Sequence, residues 1–258
     1  MNINIQNTWF SFGQTPILKD INCEFSQPGF HAILGPNGSG KTTLLDLISG
    51  FLQPDQGSIL LDRTPISQLS KNKQAKSMAL VSQNYAVNFP FTVNQVVLMG
   101  RHPYLNRFSH PTNKDLNFAD KIMSHTGILH LKHRKMTELS GGEKQRCIFA
   151  RALCQDTPIL LLDEAFSNMD ICHTLHLLRL LKKEVVSRKK TIIAVLHDLN
   201  LAAAWSDRLI FLKAGRIISM GSTDQVFTRD NIQTVFNVDT KVKYNDYSQA
   251  RQAYFKAS

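Results

Sequence analysis

The segment Gly35–Thr42 constrains the fold and the chemistry of this chain more than any other part of the sequence. It reads Gly-Pro-Asn-Gly-Ser-Gly-Lys-Thr and matches the pattern G-x-x-x-x-G-K-[S/T] at every fixed position. A short apolar run at 30–34 predicts a strand before it, and the leucine spacing after Lys41 predicts a helix behind it. Glycines let successive backbone N–H groups converge on phosphate oxygens, and a helix N-terminus attracts the same anion.

This pattern predicts a loop that binds the phosphates of a nucleotide. Lys41 is expected to reach the β- and γ-phosphates, and the Thr42 hydroxyl is expected to bind Mg²⁺. The residues predicted to bind the nucleotide are Gly35, Pro36, Asn37, Gly38, Ser39, Gly40, Lys41, Thr42 and Thr43.

Two carboxylates follow a second apolar run. Ile159–Leu162 is continuously apolar and predicts a buried strand, and Asp163 and Glu164 come directly after it. In a protein with a phosphate loop, the first acid at such a strand end holds Mg²⁺, and the second can orient or deprotonate the attacking water. Asp163 is therefore the predicted metal ligand, and Glu164 is the predicted general base.

Predicted strands and helices alternate along most of the chain. The apolar runs 159–162 and 191–196 predict buried strands, and 140–153 predicts a helix that begins at a capping serine. The predicted apolar face of a further helix consists of Ile171, Leu175, Leu178, Leu181 and Val185. This alternation predicts an α/β fold with a mostly parallel sheet that helices cover on both faces.

Composition excludes several classes of protein. The chain has 258 residues, of which 43% are hydrophobic and 19% are charged, so a largely disordered chain is excluded. No apolar run is long enough to predict a membrane-spanning helix, and Met1–Phe12 does not have the pattern of a signal peptide. The cysteines lack zinc-ligand spacing and are interpreted as reduced structural thiols; they are Cys23, Cys147, Cys154 and Cys172.

The net charge of +10 is concentrated in one part of the sequence. Residues 71–138 carry ten basic and three acidic side chains. A basic balance suggests an anionic partner, which is either a nucleic acid or a membrane surface, and the plainer interpretation is a solvated surface.

A third motif consists of Leu139, Ser140, Gly141, Gly142 and Glu143. It resembles the LSGGQ signature of ATP-binding cassette (ABC) proteins, with Glu143 in the usual glutamine position. Together with the phosphate loop and the acidic pair, in that order, it makes the chain resemble an ABC ATPase subunit from about residue 3 to about residue 220. The resemblance implies a P-loop NTPase fold, which is a RecA-like parallel sheet with an antiparallel β edge, plus a helical subdomain that carries the signature.

The resemblance also assigns individual residues. Gln83 matches the family's Q-loop glutamine, which implies a catalytic role and a contact to Mg²⁺. His197 matches the switch histidine, which contacts the γ-phosphate in the family. Asp170 belongs to the segment that matches the D-loop, Ser167–Asp170.

An aromatic residue near the N-terminus stacks on adenine in the family. Phe12 occupies this region of the sequence and is the predicted adenine contact. Trp9 and Phe10 are close enough to remain alternatives.

The family works as a pair of subunits. Two copies associate head to tail, and each ATP lies between the phosphate loop of one copy and the signature of the other. The resemblance therefore implies that this chain is an ATPase that forms a homodimer, binds ATP and Mg²⁺, and uses Glu164 as general base. Removal of the γ-phosphate weakens the interface, so ATP biases a two-state element.

The sequence after the Q-loop indicates which transporters the chain serves. Phe91–Val93, Met99–Pro103 and His197–Ala203 are similar to the ATPases of importers for iron–siderophores, haem and cobalamin. In such systems two ATPase copies bind a dimeric membrane permease, and an extracytoplasmic binding protein delivers the substrate. The resemblance implies a peripheral protein at the cytoplasmic face of the inner membrane, where 71–138 faces the permease and anionic lipid. Molybdate and tungstate importers have nearly the same ATPase, so their substrates remain an alternative.

Other classes fit the sequence less well. A soluble, non-transport ABC ATPase usually carries two cassettes or a long coiled-coil insertion. The subunit of an exporter has a different sequence after the Q-loop. A GTPase carries the motif Asn-Lys-x-Asp. His130–His133 and His173–His176 have helical spacing without further clustered ligands, so Mg²⁺ is the predicted metal. No nucleic-acid partner is predicted.

The motifs predict how the chain is divided. Residues 1–220 are expected to form one ABC ATPase domain. Its predicted parts are a RecA-like core at 1–87 and 157–220 and a helical subdomain at 88–156, followed by a C-terminal extension at 221–258. The extension is predicted to contain a short strand and two small helices.

Overall fold

The residues that the computed structural model describes are 1–82, 90–106, 109–167 and 169–256. The chain forms two compact units: unit 1 is Met1–Leu69 with Thr191–Ser258, and unit 2 is Ser70–Lys190. The strands are β1 (Ile3–Phe12), β2 (Thr15–Phe25), β3 (Gly29–Leu34), β4 (Gln56–Leu61), β5 (Thr64–Pro65), β6 (Met78–Val81), β7 (Ile159–Asp163), β8 (Thr191–Val195), β9 (Arg208–Lys213), β10 (Arg216–Ser222), β11 (Thr240–Asn245) and β12 (Ala250–Phe255). The α-helices are α1 (Lys41–Ser49), α2 (Lys71–Ser77), α3 (Val93–Leu98), α4 (Asn113–His125), α5 (Gly141–Cys154), α6 (Ile171–Arg188), α7 (Leu199–Trp205), α8 (Thr223–Val226) and α9 (Arg229–Phe236). Within these described ranges, no helix has the length and apolar character needed to cross a lipid bilayer.

Two of the sheets in unit 1 differ in exposure. The first is antiparallel, in the order β2-β1-β4-β5, and its longer strands mix buried and exposed residues. In the second, β3 pairs in parallel with β8 on one side and β9 on the other, and β10 is antiparallel to β9. Every residue of β3 and β8 is buried, because continuously apolar strands belong in a parallel sheet that is covered on both faces.

Unit 2 combines a parallel strand pair with helices. β6 and β7 pair from Met78 opposite Ile159 to Val81 opposite Leu162. The helix predicted from Ser140 onward is α5, and Ser140 is its N-cap. Parallel strands that alternate with helices in the chain confirm the predicted α/β fold class.

The buried face of α6 differs in part from the prediction. Ile171 was expected on the apolar face, but its side chain is 67% exposed. The buried residues of this helix are Thr174, Leu177, Leu178, Leu181 and Val185. The prediction was wrong at Ile171, which is the first residue of the helix and directly follows its N-cap, Asp170. Leu175, which was also expected on this face, is half-buried.

The C-terminal extension contains one more strand than the sequence predicts. Two small helices, α8 and α9, are present as expected, and β11 and β12 form an antiparallel hairpin. Only Thr240 in β11 and Ala250 and Ala253 in β12 are buried. This weak alternation explains why the sequence pattern indicated a single strand.

An ion pair at the start of α4 stabilises unit 2. The Arg101 Nε lies 2.9 Å from Asp115 Oδ1, and both side chains are mostly buried. Asp115 also accepts hydrogen bonds from the backbone amide and the hydroxyl of Thr112, which is the N-cap of α4. The hydrogen bonds from Thr112 and from Arg101 lower the pKa of Asp115 to about 2.

We expect the contribution of Asp115 to stability to depend on pH. The pKa of Asp115 is about 2 in the folded chain and about 3.9 in the unfolded chain. Its contribution to stability is therefore complete at pH values above the unfolded-state pKa. This contribution is lost as the pH falls through the folded-state pKa. Asp115→Asn should therefore lower the free energy of unfolding by about 2 kcal/mol at neutral pH. Urea unfolding measured across acidic pH should show the difference from the parent chain shrinking below about pH 4. Asp120→Asn, on the same helix, removes the half-exposed ion pair of Asp120 with Lys132; it is the comparison and should cost less, about 0–1 kcal/mol. A difference for Asp115→Asn that stays constant with pH would contradict this explanation.

Candidate functional site

The predicted phosphate loop lies in unit 1, between β3 and α1. Gly38 and Gly40 have φ values of 75° and 100°, which is a left-handed backbone that glycine adopts without steric cost. The Lys41 ammonium is buried and donates to the carbonyl oxygens of Gly35 at 3.0 Å and Pro36 at 2.9 Å. The lysine that is predicted to contact phosphates therefore also stabilises the loop around it.

Three features of this loop fit a bound phosphate group. A Cβ at Gly35 would lie 2.0 Å from the Leu212 carbonyl oxygen, so the backbone has no space for a side chain there. The N-cap of α1 is Gly40, which provides no side-chain cap, so the first amides of the helix remain available to an anion. Ser39 is 3% exposed, and its hydroxyl oxygen has no hydrogen-bond partner within the described residues. An orphaned buried hydroxyl beside uncapped amides fits a phosphate oxygen as the missing partner.

The remaining predicted nucleotide contacts lie on the surface of unit 1. Asn37, Gly38 and Thr42 are exposed, and Pro36 and Thr43 are half-buried. Thr42 is thus open to the solvent directly after the buried Lys41, as a magnesium ligand next to a phosphate would need to be.

His197 lies on the connection from β8 to α7. Its side chain is exposed, and the next residue, Asp198, caps α7 by accepting from the Leu201 amide at 2.9 Å. β3 and β8 are parallel neighbours with Ile33 opposite Val195. The phosphate loop and His197 therefore follow adjacent strands at the same carboxyl edge of the sheet, where ligands bind in open α/β sheets.

The three aromatic candidates on β1 differ in exposure. Phe10 is 7% exposed and Phe12 is 56% exposed, and their rings meet edge to face with centroids 4.9 Å apart. Trp9 is half-buried, with the Arg216 guanidinium 5.8 Å from its ring centroid. Phe12 therefore offers the largest open ring surface of the three.

The acidic pair lies in unit 2, at the end of β7. Asp163 is the last residue of the strand and is 5% exposed, whereas Glu164 is half-buried. The Glu164 backbone has a φ of 49°, in the left-handed region that non-glycine residues rarely adopt. The Ser167 amide donates to the Glu164 carbonyl at 3.1 Å and closes a turn. Strained backbone of this kind concentrates at functional sites, because only well-packed surroundings can hold it.

Gln145 on α5 supports the turn that follows Glu164. Its buried side-chain amide donates to the Ala165 carbonyl at 3.1 Å. The Phe166 ring packs against Phe149 of the same helix, with centroids 6.0 Å apart. These contacts join α5 to the acidic turn. Sequence reasoning missed Gln145, since a single amide within a helix carries no signal before its partner is known.

The predicted signature residues form the N-terminus of α5. The Ser140 amide and hydroxyl both donate to Glu143 Oε2 at 2.8 Å, and the Glu143 amide donates to Ser140 Oγ at 3.3 Å. The hydrogen bonds from Ser140 lower the pKa of Glu143, so its carboxylate stays ionised. Leu139 is buried and Gly142 is half-buried, whereas a Cβ at Gly141 would meet no atom within 4 Å. The motif is therefore anchored at Leu139 and open above Gly141.

Asp170 caps α6 by accepting from the His173 amide at 2.9 Å, and this hydrogen bond lowers the pKa of Asp170. Gln83, the predicted Q-loop glutamine, and Asn168, in the predicted D-loop, lie outside the described residues. Their roles stay predictions from the sequence.

The histidine pairs and the cysteines form no further site in the part of the chain that the structure describes. No three His, Cys, Asp or Glu side chains cluster there as metal ligands. A ring nitrogen of His176 donates a hydrogen bond to the His125 carbonyl oxygen at 2.7 Å. This nitrogen is therefore already engaged within the protein. Burial raises the pKa of Cys147 to about 12, so its thiol stays protonated.

A family model described as ABC transporter matches residues 18–167 of the chain. A hemin import ATP-binding protein of Escherichia coli O157:H7 is 38% identical over 246 residues, which cover 93% of this chain and 94% of that protein. A cobalamin import ATP-binding protein of Halobacterium salinarum is 36% identical over 242 residues, which cover 94% of this chain. The chain spans 60% of the length of that relative.

Solved structures agree with the curated relatives. A metal-chelate type ABC transporter in an inward-facing conformation superposes with a TM-score of 0.83 at 27% identity, covering 98% of this chain and 96% of that chain. A dimeric bacterial ABC transporter cassette superposes with a TM-score of 0.76 at 25% identity, covering 86% of this chain and 98% of that chain. The predicted P-loop NTPase fold of the cassette type is thereby confirmed.

We expect Gly35→Ala to disrupt the phosphate loop. The new Cβ would collide with the Leu212 carbonyl oxygen 2.0 Å away, so the backbone must shift. Overpacking of this kind costs about 2 kcal/mol, and the displaced amides should weaken ATP binding about tenfold or more. Urea unfolding and ATP titration of the same preparation measure both effects. Gly141→Ala, where the Cβ has open space, should leave stability nearly unchanged; parental ATP affinity in Gly35→Ala would show that the loop amides do not hold the phosphates.

We expect Phe12→Ala to weaken ATP binding through loss of stacking on the base. A base–aromatic stack contributes about 1–3 kcal/mol, so the dissociation constant for ATP should rise about tenfold. Inorganic triphosphate, which has no base, should bind the variant and the parent chain equally. Trp9→Ala is the matched control. If Trp9→Ala rather than Phe12→Ala reduces ATP affinity, Trp9 is the adenine contact.

Proposed function

This chain belongs to the ABC transporter family, and we propose that it is the ATP-hydrolysing subunit of an importer of metal chelates. The observation that carries the proposal is the phosphate loop, where the orphaned Ser39 hydroxyl and the uncapped start of α1 meet. The match to a hemin import ATP-binding protein over nearly the full length of both chains supports import.

ATP binds with its phosphates on the loop at the start of α1. The loop amides and the Ser39 hydroxyl contact phosphate oxygens, and Lys41 exchanges its two carbonyl partners for the β- and γ-phosphates. Thr42, Asp163 and Gln83 are the residues that would hold Mg²⁺, which would neutralise the charge that develops on the phosphates during hydrolysis. Phe12 stacks on adenine.

Glu164 acts as the general base. Its left-handed backbone and the turn closed by Ser167 fix the direction of its side chain relative to Asp163. Gln145 and the buried Ala165 hold that turn in place. His197 contacts the γ-phosphate and helps to position the attacking water.

The signature residues bind ATP held by a second copy of the chain. The start of α5 presents helix amides and the Ser140 hydroxyl to an anion. In the free chain this hydroxyl is engaged by Glu143. To donate to the partner's ATP, the Ser140 hydroxyl must therefore share its proton with the Glu143 carboxylate or release that carboxylate. We place Asp170 next to this interface between the two copies.

A membrane permease couples the dimer to transport. We assign iron–siderophore, haem or cobalamin as substrate, delivered from outside by a binding protein, and place the ATPase at the cytoplasmic face of the membrane. The exposed lysines Lys71, Lys73 and Lys76 on α2 belong to the basic region and face anionic lipid in this arrangement. Molybdate or tungstate is the second candidate substrate.

We expect Glu164→Gln to trap the ATP-bound dimer. Loss of the base should lower the ATPase rate about 100-fold or more, while ATP still binds. Size-exclusion chromatography with light scattering should show dimers that persist with ATP and dissociate with ADP. Glu138→Gln, the same change elsewhere in unit 2, is the control. Normal turnover in Glu164→Gln would refute the assignment.

Purification of the tagged chain from detergent-solubilised membranes tests the transport role. Mass spectrometry is expected to find a multi-span permease with the chain. Recovery of ribosomes or DNA instead would identify a soluble, non-transport ABC ATPase and overturn the proposal.

Reversing the charges of Lys71, Lys73 and Lys76 to glutamate should lower recovery from membranes and leave ATP binding unchanged.

A further inference from the structure

A cavity of about 660 Å³ that is wide open to solvent lies in the C-terminal extension, within unit 1. Its lining comes from the start of α9, the first residues of β11 and the last residues of β12. Cavities of several hundred Å³ are the usual size of small-molecule sites. None of the predicted motifs contributes a residue to it, so the nucleotide site does not explain it.

Positive charge dominates the cavity. Its charged lining residues are Arg229, Asp239, Lys241, Arg251 and Lys256. The Arg229 guanidinium lies 2.9 Å from Asp239, and the Arg251 guanidinium lies 3.6 Å from Asp224. Within the described residues, Lys241 and Lys256 have no such carboxylate partner. Two ammonium groups at one cavity thus remain without a counter-charge, which favours an anion.

Thr240 provides a second and independent observation. It lines the cavity and is 4% exposed, and its hydroxyl oxygen has no hydrogen-bond partner among the residues that the structure describes. Buried polar atoms in folded proteins are nearly always paired. The unpaired Thr240 hydroxyl beside this cationic cavity can gain a partner when a bound ligand displaces the side chains that cover it.

Aromatic side chains complete the lining. Tyr254 and Phe255 are 47% and 54% exposed and follow the charged positions on β12. Exposed rings of this kind provide apolar contact area, and the cations fix orientation. We propose that this cavity binds a small molecule that carries a phosphate or carboxylate group on an apolar or aromatic body.

The hairpin that forms the cavity is bonded to the helix that follows His197. The Asn200 side chain of α7 donates to the Ala253 carbonyl at 3.2 Å and accepts from the Ala253 amide at 2.7 Å. Asn200 therefore occupies the outer edge of β12 as a further strand would. A ligand that draws Arg251 or Tyr254 inward acts through this pair on α7 and on His197, and this consequence rests on the proposed function.

Isothermal titration calorimetry tests the site on the full chain. The protein is saturated with ADP and Mg²⁺, so that the phosphate loop is filled, and is titrated with phenyl phosphate. We expect one molecule to bind, with an affinity that falls as salt rises. Benzyl alcohol, which is uncharged, should not bind. No saturable binding of phenyl phosphate would overturn the proposal.

Charge reversal locates the site. Lys241→Glu should raise the dissociation constant for phenyl phosphate about tenfold or more. Lys243→Glu is the matched control, because Lys243 is exposed on the same strand and does not line the cavity. Equal effects of the two variants would show only a general effect of charge and would overturn the assignment.

Thr240→Val distinguishes a ligand contact from a structural role. Removal of an orphaned hydroxyl should raise the melting temperature of the ligand-free chain and weaken phenyl phosphate binding several-fold. A lower melting temperature with unchanged binding would show that the hydroxyl serves the fold, and it would remove Thr240 from the site.

Lipid headgroups are the other source of the same phosphate chemistry. Vesicles of phosphatidylcholine with phosphatidylglycerol are added to the titration, with pure phosphatidylcholine vesicles as the control. Competition with phenyl phosphate supports the site with a lipid phosphate as its ligand, and absence of competition supports it with a free molecule.

ATPase assays test the connection through Asn200. Phenyl phosphate should change the rate at least about twofold in the parent chain and not in Asn200→Leu, while calorimetry shows that both bind it. An unchanged rate in the parent chain, with binding intact, refutes the connection and leaves the site supported. A chain without any ATPase activity refutes the proposed function, and calorimetry still decides whether the site exists.

Discussion

The close packing of β3 between β8 and β9 is the constraint on which the phosphate loop depends. Both neighbours pair with β3 in parallel, and the chain leaves β3 so close to β9 that a Cβ at Gly35 would lie 2.0 Å from the Leu212 carbonyl oxygen. The backbone has no space for a side chain at Gly35, and Gly38 and Gly40 supply the left-handed conformations that the turn needs. The buried strands therefore determine where the loop amides point, and with them where a phosphate can bind.

This packing leaves polar groups of the loop in states that a folded chain usually avoids. The buried Ser39 hydroxyl has no partner within the described residues, and the buried Lys41 ammonium donates to two backbone carbonyls of the loop itself. Each arrangement costs stability in the free chain. A ligand that satisfies these groups recovers that free energy on binding, so the geometry favours an occupied loop over a maximally stable empty one.

Features encoded within a few neighbouring residues could be predicted from the sequence. The glycine spacing of the phosphate loop and the three-residue spacing of Ser140 and Glu143 describe local geometry, and the structure has both. Features that need distant segments could not be predicted. The Gln145 bond joins positions 20 residues apart, and the choice of Phe12 over Phe10 depends on which ring the rest of unit 1 covers. Burial is a property of the packed chain, so periodicity alone misplaces residues such as Ile171.

The C-terminal extension contains a candidate binding site that no sequence motif marks. Thr240 resembles Ser39, since each is a buried hydroxyl that lacks a partner in the described part of the chain and lies where positive charge or amides converge. At the phosphate loop the amides and the hydroxyl come from one short segment, so the sequence shows them as a motif. In the extension the charged groups and the hydroxyl come from α9, β11 and β12, so no sequence motif marks them. The Asn200–Ala253 pair then makes the hairpin part of the support of α7. The first turn of α7, which follows His197 in the chain, is thus bonded to a residue 53 positions further along.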